Sequence, residues 1–186
     1  MANRSQLPRI GDASCETRIM SSHEPFDPLI RFAEIERLVS KIYFRFSHLF
    51  LPKLKLRDFW WEMAKEEEQH ACILNACRAL IENYDDEKLD PSISRYKADE
   101  LKQWLLAYLS RGIASMDVEA AFRIALEIEN SEIDVIYGRL LRLGGPKIAK
   151  TMENLGVPAS VQRQKLKLAL RQFCSDPELL QAAEGL

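Results

Sequence analysis

A carboxylate and an imidazole three residues apart lie on one side of a helix and can ligate a single cation. Glu67 and His70 have that spacing inside the run Trp60 to Ala71. The apolar residues around them, Trp60, Met63, Ala64, Ala71, Leu74, Cys77 and Ile81, recur at helical intervals, and their stripe passes over both polar side chains. Charge on a buried face needs a partner, because desolvation otherwise costs energy or shifts the pKa until the charge is lost. Two further stretches repeat the anomaly. Leu29, Phe32, Ala33, Val39, Tyr43 and Phe46 share a face with Glu36, and Val118, Phe122, Ala125, Ile133, Ile136, Leu140 and Leu143 form a stripe containing Glu129. Carboxylates and one imidazole aimed at a common core suit iron, with manganese as the second choice, over a thiolate-bound metal. A plainer reading stays open for each. Glu66 to Glu68 read equally as a solvated charge run, Glu36 as a partner of Arg31 or Arg37, and Glu129 as one of several acids, with Glu127, Glu132 and Asp134, on a wet face.

The elements that must position these residues are helices. Asp27-Pro28 supplies a cap and a first-turn proline for a helix running to about Phe50, where Pro52 ends it. A second helix is expected from about Lys55–Asp58 to Asn83, and a shorter amphipathic one from Ala98 to Ser110, with Leu101, Trp104, Leu105 and Leu109 on its face. A third long helix is expected from Met116-Asp117 to Leu143, stopped by Gly144-Gly145-Pro146. Shorter pieces follow, Lys147 to Leu155 and Ser160 to Cys174, with Ser160 as N-cap. Strand-like alternation is absent. Two long helices, a long connection, a third long helix and a final helical segment describe an all-α four-helix bundle with a crossover connection and an extra short helix. The predicted organisation is a flexible arm over 1–25, the bundle over 26–175 and a tail over 176–186. Ala33-Glu34-Ile35-Glu36 resembles Leu126-Glu127-Ile128-Glu129, and each is followed by an Ile-Tyr pair ending at Tyr43 or Tyr137, a hint of internal duplication.

Composition narrows the function classes. The chain has 186 residues, enough to bury a core, and a formal charge of −2 with acids and bases interspersed. That pattern leaves no basic footprint for nucleic acid or for an anionic membrane. No apolar run approaches the roughly 18 residues of a membrane span, and residues 1–28 lack a signal-peptide core, so a cytoplasmic protein is expected. Four scattered cysteines, Cys15, Cys72, Cys77 and Cys174, contain no Cys-x-x-Cys pair and encode neither a zinc ribbon nor a redox dithiol.

Glu36-x6-Tyr43 on one helix, followed some thirty residues on by Glu67-x-x-His70-Ala71 on the next, resembles the rubrerythrin-like branch of the ferritin-like superfamily. The resemblance covers Pro28 to Tyr84 and, more loosely, Val118 to Leu143. It implies a carboxylate–histidine site of Glu36, Glu67, His70 and Glu129, holding one or two iron ions, or manganese. Beyond Pro146 the chain departs from the family, with no histidine and only Glu153, Asp176, Glu178 and Glu184 as acids. One tightly held ion follows more readily than two. The implied function is an oxidoreductase acting on O2 or peroxide. The alternatives are an inactive scaffold whose acids form a core network neutralised by Arg123 or Arg139, and an iron-storing homodimer or larger homo-oligomer in which Glu178 or Glu184 reaches a neighbour. Glu132 and Glu153 stand in reserve as ligands. Tyr43 and Tyr137 read either as hydrogen-bond partners of the ligating carboxylates or as core tyrosines, and Trp60 and Trp61 as packing anchors. His23 and His48 are not expected to be ligands.

Overall fold

The structure is a computed structural model that describes residues 26–81, 93–111, 116–131 and 133–186. The expected arm, with Cys15 and His23, therefore lies outside the described residues, as does Glu132. Every regular element among the described residues is helical.

Helix α1 (Pro28–Leu49) starts where the sequence places it: the Asp27 carboxylate accepts from the Ile30 N–H at 3.2 Å, and Pro28 occupies the first turn. A turn through Pro52 leads into α2 (Leu54–Leu80), which ends three residues before the expected Asn83. These two helices make the most extensive contact in the molecule. The predicted stripes of both are buried, and they meet at Trp60, which is fully enclosed. Around it pack Tyr43, Phe46, Phe59 and Phe122, with ring centroids 5.7, 5.0, 4.7 and 4.8 Å away. Trp60 is thus the packing anchor its position suggests, whereas Trp61 faces outward beside Phe44. The Ser40 hydroxyl donates to the Ala64 carbonyl at 2.9 Å and pins the two helices near mid-length, and Arg78 pairs with Asp27 at the far end.

Helix α3 (Arg95–Ser110), capped by Ser94, packs on α1 and is tied to it by Lys102–Glu34 at 3.0 Å. The third long helix is not continuous. It is two pieces, α4 (Val118–Glu129) and α5 (Ile133–Leu141), separated at Asn130-Ser131. Asparagine and serine compete with helical backbone bonding through their own side chains, and here the Ser131 hydroxyl accepts from the Ile133 N–H at 3.4 Å. The apolar stripe runs on across the interruption, which explains why periodicity alone reads one helix.

A single 3₁₀ turn (Arg142–Gly144) and Gly145, at φ +85°, lead into α6 (Pro146–Glu153). Helix α7 (Ala159–Phe173) begins one residue before Ser160 and has no side-chain cap, so Ser160 does not serve as the N-cap. Residues read as a tail instead form α8 (Pro177–Ala183), which buries Leu179 and Ala183 and packs against α4 and α7. Glu184 pairs with Arg171 of its own chain at 2.6 Å.

Candidate metal centre

The four polar residues picked out on apolar faces are all buried: Glu36 and His70 are 1% exposed, Glu67 3% and Glu129 5%. The bland readings of Glu36 do not hold, since Arg31 pairs with Glu34 and Arg37 with Glu68. Nor is Glu66 to Glu68 a solvated run. Glu66 is buried against Lys165 and Glu67 lies in the core, while only Glu68 is exposed.

Helix α1 delivers Glu36, and α2 delivers Glu67 and His70 one turn apart. One ligand atom from each lies within 4.8 Å of the other two. His70 Nδ1 is 3.3 Å from Glu67 Oε2 and 4.0 Å from Glu36 Oε2. Its other nitrogen, Nε2, is 3.2 Å from the Val157 carbonyl. A carbonyl only accepts, so Nε2 carries the hydrogen and the lone pair of the neutral ring sits on Nδ1, toward the two carboxylates. Gly156 permits this contact: a Cβ there would stand 2.9 Å from Ile73 and 3.8 Å from the imidazole. Tyr137 covers the ring, its centroid 4.5 Å away. With Glu36 ionised and the ring neutral, neither Glu36 oxygen nor His70 Nδ1 finds a donor among the described residues, whereas a proton on Glu36 or on Nδ1 is shared with Glu67.

Glu129 is held differently. Tyr43 donates to its Oε1 at 2.9 Å, while Oε2 has no partner among the described residues. It lies outside the compact group of Glu36, Glu67 and His70. The duplicated tyrosines serve opposite copies: Tyr43 of α1 reaches Glu129 of α4, and Tyr137 of α5 lies against His70, near Glu36.

Electrostatics favour protons on these groups when no cation is present. Burial, and then the charges of Glu67, Asp134 and Glu129, push the Glu36 carboxyl well above the ordinary range. Burial followed by Glu67 and Asp134 raises Glu129 as strongly, against the opposing pull of the Tyr43 hydroxyl and Arg163. Burial alone would lower the His70 pKa, but the adjacent Glu67 carboxylate outweighs it and the net direction is up.

No family model, curated protein or solved structure matches the chain.

Two residues of the site escaped sequence reasoning. Asp134 is five residues past Glu129, about 140° round an unbroken helix. The break between α4 and α5 brings it in, so that it is largely buried, feels the charge of Glu67 and pairs with Arg163 at 3.2 Å. Gln162 of α7 is fully buried and donates from its amide nitrogen to Glu67 Oε1. Its signal was present. It heads the stripe Leu166, Ala169 and Leu170, but an amide does not look like a ligand. Glu153, held in reserve, is exposed and takes no part, and Arg123 pairs with Asp176 rather than with the core acids.

Proposed function

We propose that this protein binds one divalent cation, iron in preference to manganese, through Glu36, Glu67 and His70 at the centre of a ferritin-like bundle, and that the bound iron serves oxidation–reduction with O2 or peroxide. The observation that carries the reading is the buried group itself: one ligand atom each from Glu36, Glu67 and His70 within 4.8 Å of the others, with no donor among the described residues for the ionised Glu36 carboxylate. Buried polar atoms are nearly always paired, and acceptors from three side chains gathered this closely match the needs of a cation. Two carboxylates and one imidazole fit the donor chemistry of Fe(II) or Mn(II), and three protein ligands leave coordination positions for a small oxidant. Iron there would supply a one-electron Fe(II)/Fe(III) couple.

The chain's own residues do the rest. Val157 fixes the imidazole tautomer and Gln162 orients Glu67, the outer support that ligand geometry requires. Burial and the charge of Glu67 push the Glu129 pKa up, which places a carboxyl with a raised proton affinity within electrostatic reach of Glu67. The aromatic enclosure by Trp60, Phe59 and Phe122 keeps water out of the adjoining core.

A second reading, a core network without metal, draws on the partners the other acids do have: Tyr43 for Glu129, Arg163 for Asp134 and Gln162 for Glu67. Elemental analysis after anaerobic Fe(II) loading separates the two. Wild type retaining about one ion per chain, lost in both Glu67→Ala and His70→Ala, supports the metal site, and Fe(II) oxidation by O2 or peroxide then tests the chemistry. Wild type without metal, beside equally folded variants, leaves the network reading.

A further inference from the structure

Gln162 stands against the one carboxylate that both halves of the core share. Its amide nitrogen donates to Glu67 Oε1, while Glu67 Oε2 faces His70, so it engages the oxygen of that carboxylate that His70 does not. The amide oxygen is buried and accepts nothing from any described residue. Glu129 Oε2 is a further buried acceptor without a donor among the described residues, and Glu67 and Asp134 lie near enough for their charges to act on Glu129. Further carboxylates thus stand within electrostatic reach of Glu67, although only Glu36, Glu67 and His70 form a compact ligand group among the described residues. What occupies the bridging edge is an N–H donor.

We infer that Gln162 sets the capacity of the core at a single cation, by filling with amide hydrogens the edge of Glu67 that would otherwise bridge to a second ion. The inference rests on the reading of Glu36, Glu67 and His70 as a cation site. An amide satisfies the Glu67 oxygen without adding negative charge, and its N–H competes with a metal ion for that oxygen's lone pairs. Exchange of that amide for a carboxylate changes almost no volume, removes the donor and adds a ligand.

Mn(II) is the probe, counted by equilibrium dialysis with elemental analysis and read by electron paramagnetic resonance. Wild type is expected to hold about one Mn(II) per chain with the signal of an isolated ion, and Gln162→Glu about two with a spin-coupled signal. Gln162→Met, which fills the space with neither donor nor hard ligand, is expected to stay at about one. Should Gln162→Glu fail to fold, Gln162→Ala uncovers Glu67 Oε1 without added charge and is expected to take a second, weaker equivalent. Gln162→Glu and Gln162→Ala both remaining at one ion, or wild type already holding two, would overturn the inference alone. Wild type holding none would overturn the triad reading together with it, a distinguishable result.

Discussion

In the α1–α2 hairpin, the ionised Glu36 carboxylate finds no donor among the described residues and His70 Nδ1 faces only acids, whereas in α4 and α5 the acids Glu129 and Asp134 each have a donor on one oxygen, from Tyr43 and Arg163. Glu67 lies between and is shared, one oxygen toward His70 and the other toward Gln162. Burial is similar on the two sides, so burial does not separate a ligand from a structural acid. What separates them is whether the fold has already supplied a counter-group. On the proposed reading the first side takes its counter-charge from a cation, while the second takes part of its own from the chain.

The largest effect expected from this contrast is on metal retention. His70→Ala and Glu36→Ala remove atoms that would touch the ion and should leave no measurable iron after gel filtration. Glu129→Ala removes an acid that stands outside the group and should weaken binding by about 10- to 100-fold at most, as for a supporting residue. Glu129→Ala losing metal as completely as His70→Ala would make Glu129 a ligand and erase the distinction between the halves.

Stability of the chelator-treated protein should next respond more strongly on the first side than on the second. Glu36→Leu removes a buried carboxyl that lacks partners and should raise stability by about 1–3 kcal/mol, because an unsatisfied buried group costs that much. Asp134→Leu deletes a carboxyl whose pKa is also raised but strips Arg163 of its counter-charge, so it should gain less than Glu36→Leu or nothing. Urea denaturation with EDTA present measures both. A loss in Glu36→Leu would mean that its carboxyl has a partner in the cation-free state.

Acidity should move the cation-free protein in a direction opposite to ordinary acid denaturation. Glu36, Glu129 and Asp134 have folded-state pKa values above their ordinary ones, so the folded state binds more protons than the unfolded state. Their contribution to stability is fully present below the unfolded carboxyl pKa and is lost as pH rises through the folded values. His70 is raised too and adds the same sign above its ordinary value. Chelated protein should therefore melt higher at pH 5.5 than at pH 8, with the difference shrinking in Glu36→Leu. A cation displaces those protons, so iron should stabilise more at pH 8 than at pH 5.5.

How much of this the chain discloses follows from which features are local. The stripes of α1 and α2 and the burial of Glu36, Glu67 and His70 are legible because helical phase over an unbroken helix converts spacing into direction. Asp27-Pro28 marks the start of α1 for an equally local reason. Asp134 was hidden because its direction depends on the interruption at Asn130-Ser131, where the apolar period carries on as if nothing had happened. Val157 was hidden because a backbone carbonyl has no side-chain signature; only Gly156 hints that backbone comes close there. Gln162 needed the packing of α7 on α2, a relation of residues 95 positions apart. The helix ends moved by a few residues without consequence for the site, whereas the one mid-helix break changed its membership.

The smallest effect, and the finest test of the comparison, is Tyr43→Phe. The substitution deletes the hydroxyl that donates to Glu129 Oε1 at 2.9 Å and leaves the ring packing on Trp60 intact. That hydrogen bond favours the ionised carboxylate and opposes the upward push of burial and of Glu67 on Glu129. Its removal should raise the Glu129 pKa further and lower stability at pH 8 by about 1 kcal/mol, the net worth of one buried hydrogen bond. At pH 5.5, where Glu129 is more fully protonated in either protein, the cost should shrink, because a neutral carboxyl depends less on a donor. Tyr137→Phe, at a ring that lies on His70, should show no such pH dependence from Glu129. Equal losses for Tyr43→Phe at both pH values would mean that Glu129 keeps one protonation state throughout, and the α4 side would then hold its acid by the hydrogen bond alone rather than by a shared proton.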